Sequence, residues 1–152
     1  MLKKKILILL SFYGTMSMAV EFSTKIQVAS EMCTALINQN AKLKNDSLGT
    51  KINLEIHNAT CGLYFGVGEY LSGKTDVELK NKCENLYMTI DLSRERAAQN
   101  KTILTASQNE LIIKNITWAE SAYTQLCDIP YMNRSIITDS AIKIKIQKLN
   151  VF

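Results

Sequence analysis

Apolar residues recur every three or four positions through much of this chain, a spacing that predicts helices rather than strands. From Thr24 to about Lys42, Ile26, Ala29, Cys33, Leu36 and Ile37 share one helical face. The turn-rich run Asn45-Asp46-Ser47-Leu48-Gly49 breaks that pattern. Ile52, Leu54 and Ile56 then alternate with Lys51, Asn53 and Glu55, which fits either a short strand or the opening turns of a helix. Asn58 reads as the N-cap of a helix carrying Cys61, Tyr64, Phe65, Gly68 and Leu71 and ending at Gly73. Gly62 and Gly66 lie four residues apart on it, leaving a bare stripe against which a neighbouring backbone can approach.

Two further helices carry the signature of a capping box, a hydroxyl followed three residues later by a residue that reaches back. Thr75-Asp76-Val77-Glu78 precedes the stripe Leu79, Cys83, Leu86 and Ile90, with Arg94 and Arg96 in its solvated continuation. Ser107-Gln108-Asn109-Glu110 precedes Leu111, Asn115, Trp118, Ala122 and Leu126, and Pro130 stops that helix soon after Cys127. In the tail, Ile142, Ile144 and Ile146 alternate with lysines as a short edge strand would. With Leu149 the same residues also fit a helix, and an unstructured basic tail fits them equally. The predicted fold is mainly α: one small up-and-down bundle of about four helices.

The four cysteines, Cys33, Cys61, Cys83 and Cys127, are an even set without metal-site spacing, so two disulfides are expected. If the first two helices fold back near residue 46, Cys33 comes opposite Cys61. If the last two fold near residue 103, Cys83 comes opposite Cys127. Pairing Cys61 with Cys83 and Cys33 with Cys127 is also reachable around the turn at Gly73, so both connectivities stand at this point.

An oxidising compartment fits the N-terminus. Lys3, Lys4 and Lys5 precede an apolar run from Ile6 to Phe12, and Ser17 and Ala19 hold the small positions before a cut, so residues 1–19 read as a signal peptide. The expected location is therefore periplasmic or secreted. Residues 20–152 then form a single domain, with 131–152 as its tail. Removing those three lysines from 18 basic side chains leaves 15 against 14 acidic ones. A net charge near +1 offers no basic face for nucleic acid, and no later run is long and apolar enough to insert in a membrane. The Asn-x-Ser/Thr sequons at Asn45, Asn58, Asn100, Asn115 and Asn133 exceed chance and fit a secreted glycoprotein; an Asn-rich composition accounts for them as well.

Little in the chain looks catalytic. His57 is the only histidine, the cysteines are committed to disulfides, and no phosphate loop, zinc-protease or serine-hydrolase motif occurs. The expectation is a protein without enzymatic activity, cofactor or metal.

The run Cys61-Gly62-Leu63-Tyr64-Phe65-Gly66-Val67-Gly68-Glu69-Tyr70-Leu71 resembles the hallmark helix of the Rap/Tai group, periplasmic immunity proteins against type VI secreted peptidoglycan amidases. Tyr64, Phe65, Gly66, Val67 and Glu69 stand in the family's places, with the first glycine displaced by one, at Gly62. Cys83 and Cys127 follow at matching distances, the latter behind Trp118-Ala119-Glu120-Ser121-Ala122. The likeness covers residues 29 to 127. It departs in a longer gap from Cys33 to Cys61, in the lack of a proline after Cys83, and in the extra tail beyond Pro130. The resemblance implies a helical inhibitor that occupies the active-site cleft of a secreted cell-wall hydrolase, with room for a homodimer. The alternative from another class is a structural component of a cell-envelope or secretion machine, or a secreted ligand-binding protein.

Overall fold

The computed structural model describes residues 26–42 and 47–131. The signal-peptide reading, the residues on either side of position 45 and the predicted strand of the tail lie outside the described residues. Among those described there are four α-helices and no strand: α1 (26–40), α2 (Leu48–Leu71), α3 (Asp76–Gln99) and α4 (Ala106–Leu126). A 3₁₀ turn, Ile129–Tyr131, follows at Pro130.

The helices run alternately up and down. Cys33 is bonded to Cys61 and Asn40 meets His57, which sets α1 antiparallel to α2. Gly66 faces Lys82 while Glu55 reaches Arg96, which reverses α3 against α2. Cys83–Cys127 and Arg94–Glu120 do the same for α4 against α3. α2 is the central element, packed on both α3 and α4. Half of its residues are buried, among them Ile52, Ile56, Leu63, Tyr64 and Val67. It meets Leu79, Leu86 and Ile90 of α3, and Ile112, Ala119 and Leu126 of α4, in one continuous core.

Several sequence readings need correction here. α2 begins not at Asn58 but ten residues earlier, where the Ser47 side chain accepts the Thr50 amide. Asn58 is exposed in mid-helix. The alternation of Ile52, Leu54 and Ile56 is thus helical: Ile52 and Ile56 are four apart and both fully buried, and Leu54 is partly covered. Gly49, read as part of a break, is buried within the first turn, against the Gln108 side chain. The box of α4 is shifted by two residues. Thr105 caps Gln108, and the Gln108 side chain returns to the Thr105 amide. At α3, Thr75 is the N-cap residue but makes no side-chain cap bond. Leu111, predicted inside, lies on the surface, with Ile112 in its place in the core.

The turn at Gly73 is as predicted, with Ser72 as the C-cap and Gly73 at φ +100°, a backbone that only glycine adopts freely. Both disulfides are formed in the sequential pairing, Cys33–Cys61 and Cys83–Cys127.

Candidate functional site

The motif helix around Cys61 is interior scaffold. Tyr64 and Val67 are buried and Phe65 is partly covered. Gly62 and Gly66 do open a stripe toward α3, but a side chain fills it and not a backbone. The stem of Lys82 lies 3.7 Å from where a Cβ on Gly62 would stand and 3.1 Å from one on Gly66. Glu69 is on the surface in an ion pair with Lys74, 2.8 Å away, which holds its carboxyl below the usual range. These residues shape α2, and none of them gathers into a reactive cluster. No group of metal-binding side chains occurs among the described residues.

A depression with a mixed apolar and polar lining lies between α1 and α4, floored by α2. It is a half-open cavity of about 370 Å³. Leu36 contributes from α1, His57 from α2, and Leu111, Lys114, Asn115, Thr117, Trp118 and Ser121 from α4. The helical period explains the α4 set: 111, 114, 118 and 121 are three or four apart and fall on one stripe. That stripe runs along the edge of the core, with Trp118 packed against it and Leu111 and Lys114 exposed. A shallower hollow lined by Met32, Ala35 and Gln39 shares Leu36 with the cavity and carries its apolar edge along α1.

The floor is a directed string of hydrogen bonds crossing three helices. Asn40 Nδ2 of α1 donates to His57 Nδ1 at 3.1 Å, which leaves the ring proton on Nε2. His57 is also bonded to Asn115, whose own Nδ2 donates to Asn53 Oδ1 at 2.8 Å. Asn53 Nδ2 in turn donates to the Gly49 carbonyl at 2.9 Å. Burial pushes the His57 pKa down from 6.5, and the bond to Asn115 opposes part of that shift, so the ring is neutral at pH 7. The Trp118 indole meets the His57 ring edge-on at 5.9 Å and leans on Tyr64 at 6.0 Å. Burial raises the Tyr64 phenol to about 12, so it stays protonated at any physiological pH.

Sequence reasoning left His57 as a lone histidine and put Trp118 on a helix stripe, and so missed that they meet. A signal was present. Asn53 and Asn115 each interrupt an apolar face, and a polar residue on a buried stripe needs a partner.

The architecture is that of a doubly cross-linked helical bundle with an apolar-walled cavity over a neutral polar floor. No family model, curated protein or solved structure matches the chain.

Proposed function

We propose that this protein is an extracytoplasmic binding module that inhibits a secreted cell-wall-degrading toxin by covering its active site. The observation that carries the reading is the exposed apolar rim on a stapled frame. Met32 of α1 and Leu111 of α4, which line the open flank, and Val28 one turn before Met32, are each at least 40% exposed. Apolar side chains held in the open by rigid helices gain from being buried on docking and have little backbone conformational entropy left to lose there. Two disulfides fit an oxidising compartment. Among the described residues no helix is long and apolar enough to cross a membrane. The Cys61–Leu71 likeness to the Rap/Tai immunity proteins supplies the kind of partner, and an inhibitor that works by occlusion needs no catalytic group of its own.

The test is protection. Cells exporting this chain should survive periplasmic delivery of the cell-wall hydrolase encoded beside its gene, and the two purified proteins should co-elute. Met32→Glu with Leu111→Glu should abolish both effects while the melting temperature holds. If a neighbouring hydrolase kills protected and unprotected cells alike and forms no complex, the proposal fails.

A further inference from the structure

We propose that the cavity between α1 and α4 is a binding site for a small molecule with an apolar body and a carboxylate head. This stands apart from the protein-binding reading and rests on the cavity alone. Its volume of about 370 Å³ lies in the lower part of the range of roughly 300–1,000 Å³ occupied by small-ligand sites.

The lining divides into three parts that each constrain the ligand. Leu36 on one side, with Leu111 and the Trp118 indole on the other, form apolar walls that favour a flat or branched hydrocarbon body. Along the floor, the polar atoms of His57 and Asn115 are engaged in the string running from Asn40 to the Gly49 carbonyl. A satisfied, neutral floor asks for no charged group from a ligand, and its own bonds hold it in place. The third part is Lys114, the one charged side chain among the described lining residues. Lys114, Trp118 and Ser121 follow one another along α4 at spacings of four and three, so cation, indole and hydroxyl form a row. A ligand lying along that row would set its carboxylate against Lys114 and its body on Trp118. A cationic head would be repelled there, and a neutral one would lose the charge-assisted contact.

Trp118 is the only tryptophan in the chain, so indole fluorescence reports on this cavity and nowhere else. The oxidised full-length protein, excited where phenyl groups do not absorb, is titrated with phenylacetate, its neutral isostere phenylacetamide, the cation phenethylamine, and acetate. Phenylacetate is expected to give a saturable change at millimolar or lower concentration, with phenylacetamide about tenfold weaker. Phenethylamine and acetate should give no saturable change. Lys114→Gln should bring phenylacetate to the level of phenylacetamide and leave phenylacetamide where it was, a selective loss that general damage to the fold would not produce. The proposal is overturned if phenylacetate does not saturate, if acid and amide bind alike, or if Lys114→Gln changes neither.

Discussion

Asn115 joins Asn53 to His57, and so holds α4 to the polar string of α2. Truncating it to alanine strands two buried groups at once, and each stranded group costs about 1–3 kcal/mol. Chemical denaturation should therefore show Asn115→Ala destabilised by at least that much, whereas Asn58→Ala, exposed on the same α2, should stay within about 0.5 kcal/mol of wild type. The same burial removes one sequon from consideration, because Asn115 is inside and the Thr117 hydroxyl is bonded to the Ile113 carbonyl. His57 adds a pH dependence. Its pKa is lower folded than unfolded, so the unfolded chain takes up the proton first. Stability is then full above the ordinary value of 6.5 and declines as pH falls from there through the folded pKa. No other side chain has its ordinary pKa in that window, since the chain holds a single histidine. Melting temperatures taken between about pH 7.5 and pH 5 should fall for the wild type and fall less for His57→Gln. None of this string could be read from spacing. Its members sit at positions 40, 53, 57 and 115, and only the packing of three helices brings them together.

Helix starts were the least legible feature, and the reason is local. Ser107 and Thr105 both offer a hydroxyl ahead of an apolar run, and sequence alone does not say which one faces a free amide. The structure gives the cap to Thr105. Thr105→Ala should cost about 0.5–2 kcal/mol and Ser107→Ala close to nothing, a contrast that thermal unfolding will resolve. At α2, Asn58 ahead of an apolar run mimics a helix start. Gly62 and Gly66 mark where the Lys82 stem of α3 packs closely. A leucine at Gly66 would meet Lys82 Cγ at 3.1 Å and Leu79 Cδ1 at 3.5 Å, an overpacking worth about 1–3 kcal/mol. Gly73→Ala meets nothing within 4 Å but forces a left-handed backbone, at about 1 kcal/mol. Denaturant midpoints should rank Gly66→Leu as the more damaging. The α3 stripe was fully legible, since Leu79, Cys83, Leu86 and Ile90 are all buried; of the α1 stripe Ile26, Ala29 and Cys33 are buried, while Leu36 and Ile37 are only partly covered.

For the molecule as a whole, the ion pairs Arg96–Glu55 and Arg94–Glu120 bridge α3 to its neighbours, but both are exposed and such pairs contribute little. The shared core and the two disulfides hold the bundle closed. With sequence separations of 28 and 44, the bridges should stabilise it by about 3.5–4 kcal/mol each on loop-entropy grounds. Reduction should therefore lower the melting temperature sharply. That pairing was one of two open to the sequence, and hairpin packing of α1 on α2 and of α3 on α4 decided it. It also gives the chain a wiring diagram with a single weak link. Cys33–Cys61 closes one circuit over α1 and α2, Cys83–Cys127 closes another over α3 and α4, and only the backbone from Ser72 to Thr75 connects the two. A protease that nicks between α1 and α2, or between α3 and α4, leaves one covalent molecule. A tryptic cut at the exposed Lys74 makes two, each carrying its own bridge, kept together only by the non-covalent packing of α2 on α3 and α4. On a non-reducing denaturing gel, that one cleavage should halve the protein.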